Sequence, residues 1–318
     1  MKVLANDGID QSAKAALEAK GFSIDTNNIP QAELPSRIQE YDVLLVRSAT
    51  KVNKEVLDAG NNLKLVGRAG VGLDNIDVTY AKEKGVTVVN TPAASSTSVA
   101  ELVFAHMFSI CRMLQYTNRQ MPENGVAQFN QLKKVASAGS ELKGKTLGLI
   151  GLGRIGREAA RIAFGIGMNV IAFDPMIEEA EVEITFHPEA GIPSIKKKIK
   201  TISKEDVLRN ADFVSLHIPG GQGYVIAEAE LNMMKKGSGL INCARGGVVN
   251  ELDLVNALNN KTIAYAGVDV FEKEPPVYDG ILKLDNVSLT PHIGASTAEA
   301  QKRIGDEMAE QILNFFNS

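Results

Sequence analysis

The sequence predicts an α/β protein of two lobes, each built on a parallel sheet. Three observations carry this reading. Short apolar runs alternate with helical patterns along most of the chain, the signature of strands covered by helices. A length of 318 residues sets an expectation of two domains. The alternation is interrupted by a long apolar helix and then restarts more strongly.

The elements follow in order. Residues 2–6 form a short apolar run, and residues 12–20 have helical spacing that stops at Gly21. Residues 22–25 form another run. DVLLVR at 42–47 and LKLVGR at 63–68 read as buried strands, and TVVN ends a further one. Ser98 and Glu101 then form a capping box. Behind it Val99, Leu102, Val103, Met107, Ile110 and Leu114 cover a wide helical arc, and a helix apolar on most sides must be buried. Residues 120–140 are polar and weakly patterned, so they read as a connecting excursion. Strands follow at 145–150, 169–174, 212–217, 239–242, 264–268 and 287–289, with helical patterns such as 154–166 and 251–259 between them. A second box, Ser296 with Glu299, opens a C-terminal helix running toward Phe316. Residues 178–200 look like an irregular insertion, whose Lys196–Lys198 and Lys200 read as a solvated helix face.

Composition narrows the function. Hydrophobic residues make up 44% and charged residues 23%, which excludes a disordered or collagen-like chain. Lys plus Arg number 34 against 38 Asp plus Glu, and the net charge of -4 offers nothing to nucleic acid or an anionic membrane. Cys111 and Cys243 stand alone, without a CxxC, and fit a reducing cytoplasm. The four histidines show no metal-ligand spacing. His106 reads as a satisfied interior histidine and His187 as exposed.

The first chemical motif is Gly151-Leu-Gly153-Arg-Ile-Gly156. It follows the apolar strand TLGLI and opens a helix, the context in which GxGxxG binds a dinucleotide. The first glycine permits the turn, the second lets the backbone approach a pyrophosphate, and the third packs helix on strand. Asp174 ends the next strand, 18 residues beyond Gly156, where it can accept from a ribose diol and repel an extra phosphate. The expected cofactor is therefore NAD. The chain then divides into an NAD-binding Rossmann lobe, residues 98–289, inserted into a flavodoxin-like substrate lobe, residues 1–97 and 290–318.

Three further segments end strands: Asn242-Cys-Ala-Arg-Gly-Gly247, the stretch from Asp269 to Pro275, and Pro291-His-Ile-Gly294. They offer a fixed cation, a carboxylate and a titratable imidazole, the set that reversible oxidation of a 2-hydroxy acid requires. Arg245 would hold the carboxylate and carbonyl oxygens with its planar fork. His292 would take the hydroxyl proton, and Glu274 would orient the ring and stabilise the imidazolium. His217, the rival acid/base, reads as a cofactor-side structural residue.

At GLGRIG, ARGGVV, DVFEKEPP and PHIGAST the sequence resembles the D-isomer-specific 2-hydroxyacid dehydrogenases, over essentially the whole chain. The first-lobe segments VRSATKVNKEVLDAG, GRAGVGLDNID and NTPAASSTSVAEL are most similar to the members that oxidise D-3-phosphoglycerate. The resemblance implies that activity, the catalytic set Arg245, Glu274 and His292, a homodimer or higher assembly, and a short form without a regulatory domain. It implies that the backbone of Gly70, Val71 and Gly72 meets the substrate carboxylate. Arg47 and Ser48 would meet the phosphate, with Arg68 in support. It sets Arg154 and Ile155 against the pyrophosphate and puts His217, Pro219 and Cys243 on the cofactor side, with Asp269 accepting from the nicotinamide carboxamide. Lys133 and Lys134 lie where relatives can offer a cation to a neighbouring active site. Residues 220–224, which follow His217-Ile-Pro219, look shortened against the family. Two alternatives stand beside this reading: a reductase of glyoxylate, hydroxypyruvate or another small 2-keto acid, and an NAD-sensing corepressor-like protein.

Overall fold

The computed structural model describes residues 1–221 and 223–317. Gln222, within the shortened loop, and Ser318, at the end of the expected substrate lobe, lie outside the described residues. The chain forms two units, Met1–Ser98 with Ala295–Ser318, and Val99–Gly294.

In the first unit β1 (Lys2–Ala5), α1 (Gln11–Glu18), β2 (Ser23–Asp25), α2 (Leu34–Arg37), β3 (Val43–Val46), α3 (Lys54–Ala59), β4 (Leu65–Arg68), α4 (Val78–Glu83) and β5 (Thr87–Asn90) alternate along the chain. The sheet order is β2-β1-β3-β4-β5. Each of its strand pairings is parallel. This is the flavodoxin-type order. Strand β3 reads VLLV and is buried throughout, as a strand covered on both faces must be. One face packs Leu4, Leu44 and Val66 with Ile38 and Val56. The other packs Val3, Leu45 and Leu65 with Ala13, Leu17, Met308 and Ile312.

The chain passes through α5 (Ser96–Cys111), α6 (Leu114–Asn124) and α7 (Phe129–Ala136) into the second sheet. There β6 (Thr146–Ile150), α8 (Arg154–Gly165), β7 (Asn169–Phe173), β8 (Glu179–Ile184), β9 (Ile195–Lys200), α9 (Lys204–Asn210) and β10 (Phe213–Leu216) come first. They are followed by α10 (Glu228–Met233), β11 (Gly239–Asn242), α11 (Glu251–Asn259), β12 (Tyr265–Val268) and β13 (Val287–Leu289). The chain closes in the first unit with α12 (Ala298–Asn317). The second sheet runs β13-β12-β11-β10-β6-β7. All of its pairings are parallel. All six carboxyl ends therefore lie along one edge, the edge where such sheets bind ligands. Helix α5 packs Val103, Phe104, Met107 and Ile110 into this unit's core.

Four expectations need correcting. Residues 178–200 are not irregular: β8 and β9 form an antiparallel hairpin with Glu179 opposite Lys200, Glu181 opposite Lys198 and Glu183 opposite Lys196. The lysines therefore stand on a strand, and Lys196 and Lys198 pair with Glu181 and Glu179 at 2.9 Å. Ala180, Val182 and Ile199 turn inward to the core. The Ile202 amide donates to the Ala172 carbonyl at 2.9 Å, tying the hairpin's exit to β7 at the sheet's edge. Residues 120–140 are largely helical, in α6 and α7, because Leu132 is buried while the polar side chains face outward. The expected boxes are displaced: α5 starts at Ser96, and α12 is capped by Thr297, whose Oγ1 accepts from the Ala300 amide at 3.2 Å. Finally, residues 290–294 belong to the second unit, for the reason given below.

The hairpin yields a stability prediction. Val182→Ala should lower unfolding free energy by about 1–3 kcal/mol, because it empties a buried site. Glu181→Gln should cost clearly less, because its ion pair is exposed. Chemical denaturation checks both, and equal losses would contradict the assigned facing.

Candidate active site

The dinucleotide turn joins β6 to α8. Gly151 has φ +102°, and a Cβ there would lie 2.3 Å from the His217 carbonyl oxygen. A Cβ on Gly156 would lie 2.3 Å from the Gly151 carbonyl oxygen. Both positions are closed to side chains. Gly153 is different: its Cβ direction is open space. It is also the N-cap of α8 and offers no side chain to the first-turn amides. Elsewhere Asn53, Ser203 and Asn250 cap α3, α9 and α11 through side-chain oxygens. An uncapped helix start with open space in front suits an anion, since amides and helix dipole both face it.

Asp174 follows β7 and is half-buried. Its Oδ2 accepts from the Leu152 amide at 2.8 Å, and Oδ1 from Met176 and Ile177 at 2.9 and 3.1 Å. The acid is thus fixed to the glycine turn. His217 follows β10, and its Nε2 is buried without a hydrogen-bond partner among the described residues. Burial pushes its pKa down to about 4, so the ring is neutral. The glycine turn, the bare helix start and this orphaned nitrogen fit a bound dinucleotide. Pro219 is exposed nearby in the chain, whereas Cys243 is buried, and burial pushes its thiol well up.

The segments after β11, β12 and β13 carry Arg245, Glu274 and His292. Asn242 shapes the first: its Nδ2 donates to the Arg245 carbonyl at 3.0 Å, and its Oδ1 accepts from the Ala244 amide at 3.1 Å. Arg245 donates from Nη1 to the Ala244 carbonyl at 2.7 Å. Gly246 presses against the next segment, since a Cβ there would lie 1.8 Å from the Phe271 carbonyl oxygen. Glu274 is held on both oxygens. Oε1 accepts from the Phe271 amide at 3.2 Å, and Oε2 lies 2.7 Å from His292 Nδ1. With the carboxylate accepting, Nδ1 carries the proton and Nε2 is the free lone pair. His292 and Glu274 side chains are 40% and 37% exposed, so the pair is reachable.

Asp269 does something the sequence did not disclose. It is 1% exposed. Its Oδ1 accepts from the Thr290 hydroxyl at 2.6 Å and the Ile293 amide at 2.8 Å, and its Oδ2 from the Gly294 amide at 2.9 Å. Its carbonyl accepts from the His292 amide at 2.7 Å. These bonds draw residues 290–294 into the second unit. Besides the expected place beside a nicotinamide carboxamide, its carboxylate thus serves its own neighbouring segment. A sequence signal did exist, in a lone acid at a strand end, but its donors lie 21–25 residues away.

The first unit holds the remaining expected residues. Arg47 is half-buried and Ser48 exposed on the turn after β3. Asp7 shapes that turn by accepting from the Arg47 amide at 2.6 Å and the Thr50 hydroxyl at 2.7 Å. Asn75 donates to the Arg47 and Thr50 carbonyls at 2.7 and 2.6 Å and accepts from Arg68 Nε at 3.1 Å. Arg68 thus braces the turn. It also fills the space beside Gly70, where a Cβ would lie 2.5 Å from its Nη1. Asn90 Nδ2 holds the Val71 carbonyl at 2.6 Å, leaving Gly72 half-buried beside it. Asp7, Asn75 and Asn90 escaped the sequence reading, since Asx side chains in loops carry no distinguishing pattern.

Fold and site together define a nicotinamide-dinucleotide-dependent dehydrogenase. The D-isomer specific 2-hydroxyacid dehydrogenase, NAD binding domain, matches residues 104–294. The chain belongs to this family and is an NAD-dependent oxidoreductase. It is 41% identical over 317 residues to a hydroxypyruvate reductase of Thermotoga maritima, covering 98% of this chain and 97% of that protein. It is also 41% identical over 314 residues to a D-3-phosphoglycerate dehydrogenase of Methanocaldococcus jannaschii, covering 98% of this chain but only 57% of that one. The D-lactate dehydrogenase of Aquifex aeolicus, solved with NAD and lactic acid, superposes with a TM-score of 0.77 at 27% identity, covering 100% of this chain and 96% of that one.

His292→Asn should lower turnover at least about 100-fold, the usual scale for losing a general acid/base. NADH affinity, read by fluorescence titration, should stay within about 3-fold. Near-normal turnover would remove His292 from the chemistry.

Proposed function

We propose that the protein oxidises D-3-phosphoglycerate to 3-phosphohydroxypyruvate with NAD, the first step of serine biosynthesis. The observation that carries the chemistry is the Glu274–His292 pair at 2.7 Å, in the same unit as Arg245. The observation that favours a phosphorylated substrate is the braced turn bearing Arg47 and Ser48. The bound nicotinamide supplies hydride acceptance. Gly151, Gly153, Gly156, Arg154 and Ile155 hold the pyrophosphate, and Asp174 the ribose. Half-buried Ile155 and exposed Arg154 stand in the first turn of α8.

His292 Nε2 accepts the substrate hydroxyl proton as the carbon is oxidised. Glu274, already bonded to Nδ1, stabilises the resulting imidazolium and keeps the ring from turning. In reduction the same proton returns to the oxygen. Arg245 holds the substrate's carboxylate and its reacting oxygen, where a fixed cation stabilises developing negative charge. The backbone of Gly70, Val71 and Gly72 meets the carboxylate, the Gly70 amide itself donating to the Arg68 carbonyl at 2.8 Å, and Arg47 with Ser48 takes the phosphate. The cytoplasm is the compartment this reading implies, in keeping with two free, buried cysteines. A homo-oligomer belongs to the same proposal. Phe108, Leu114, Met121 and Phe129 on α5–α7 stay 44–55% exposed in the single chain, surface that a second copy can cover.

A reductase of hydroxypyruvate is the second reading. It is favoured by the Thermotoga relative, which this chain matches over 97% of its length. Comparing kcat/KM for phosphohydroxypyruvate and hydroxypyruvate separates the two. The phosphoglycerate reading expects a preference of about 10- to 100-fold for the phosphorylated acid, the worth of charge-assisted phosphate bonds. Arg47→Ala should abolish most of that preference. Equal kcat/KM in the wild-type protein would overturn it in favour of the reductase.

A further inference from the structure

The buried chain Ser288–His106–Thr290–Asp269 ends on the segment that carries His292. His106, on α5, is 2% exposed and places Nδ1 2.8 Å from Ser288 Oγ and Nε2 3.0 Å from Thr290 Oγ1. Thr290 Oγ1 in turn lies 2.6 Å from Asp269 Oδ1. The proton order follows from donor counting. An ionised carboxylate only accepts, so the Thr290 hydroxyl spends its one hydrogen on Asp269. Thr290 Oγ1 can then only accept from His106, so Nε2 bears the proton. Nδ1 is left bare and accepts from Ser288. Burial favours the same neutral ring by pushing the His106 pKa down, against the smaller upward pull of Asp269.

This order has a geometric purpose at its far end. His292 sits at φ +54°, a left-handed conformation that a non-glycine residue keeps only when its surroundings impose it. Asp269 imposes it through its carbonyl on the His292 amide and its carboxylate on the next two amides. The Thr290 hydroxyl bonds the same Oδ1 that accepts from the Ile293 amide, and His106 holds Thr290. The sequence makes room for the contact: a Cβ on Gly267 would lie 2.7 Å from His106 Cβ.

We propose that His106 and Thr290, acting through the carboxylate of Asp269, are positioning residues for the His292 imidazole. They touch neither the reacting atoms nor Glu274. Their effect falls on the orientation of the ring in turnover, and not on the hold on the cofactor. Misplacement of a reacting group by about 1 Å can cost on the order of 100-fold in rate. The inference rests on the family's acid/base chemistry and not on the choice of substrate.

The test uses the full chain and whichever of phosphohydroxypyruvate, hydroxypyruvate and glyoxylate the wild-type protein reduces fastest with NADH. That wild-type ranking judges the phosphoglycerate reading, and the variant ratios below judge the positioning. Thr290→Val removes the hydroxyl and keeps the shape. It should lower kcat about 10-fold or more, leave the NADH dissociation constant within about 2-fold, and be rescued to within about 3-fold by Thr290→Ser. His106→Leu should reproduce the loss and His106→Gln, whose amide nitrogen can still donate to Thr290, should recover much of it. These two serve if Thr290→Val fails to fold. A folded Thr290→Val or His106→Leu with lowered melting temperature but near-normal kcat would overturn the proposal, as would NADH affinity falling in step with kcat.

Discussion

A buried carboxylate must be satisfied, and how Asp269 is satisfied organises the catalytic half of this protein. A charge that is 1% exposed has no water to lean on, so its oxygens need protein donors. They come from Thr290, Ile293 and Gly294, on a segment reached only after β13. Meeting that need folds the segment back over the end of β12 and sets the His292 backbone. It also brings the ring to Glu274, which is itself tied to the Phe271 amide. The Glu274–His292 pair, our proposed acid and base, is therefore assembled inside one unit by bonds to its backbone amides.

The parallel sheet supplies the second constraint. With every strand pointing the same way, the glycine turn, Asp174, His217, Arg245, Asp269 and His292 all fall at carboxyl ends. Helices α3, α9 and α11 close their first turns with Asn or Ser, whereas α8 begins on a glycine with open space beside it. A helix start without its own cap is free to meet the charge of a dinucleotide. The hairpin β8–β9 lies outside this logic. It grows from the chain just after Asp174 and shields the core with Val182 and Ile199.

Much of this was legible in the sequence, and the reasons are specific. Buried parallel strands are short apolar runs, so VLLV and TLGLI announce themselves. GxGxxG is local and its context is local. Arg245, Glu274 and His292 were readable because each stands just beyond a strand. The hairpin was missed because its outward residues are all charged, which masks the period-two burial of Ala180 and Val182. The starts of α5 and α12 were displaced by three residues and by one, since the serines just before Ser98 are as fit for a helix start as Ser98, and Thr297 as Ser296. The work of Asp269 was illegible because its partners are distant in sequence and mostly backbone amides, which every residue has.

The central claim is that Asp269 holds the His292 segment in the free protein. Amide hydrogen exchange at exposed Ile293 and buried Gly294 tests it most directly, above all at Ile293, where burial alone would not slow exchange. The account predicts exchange at least about 100-fold slower than in an unprotected chain, without cofactor or substrate. Exchange of both amides at the unprotected rate would contradict it.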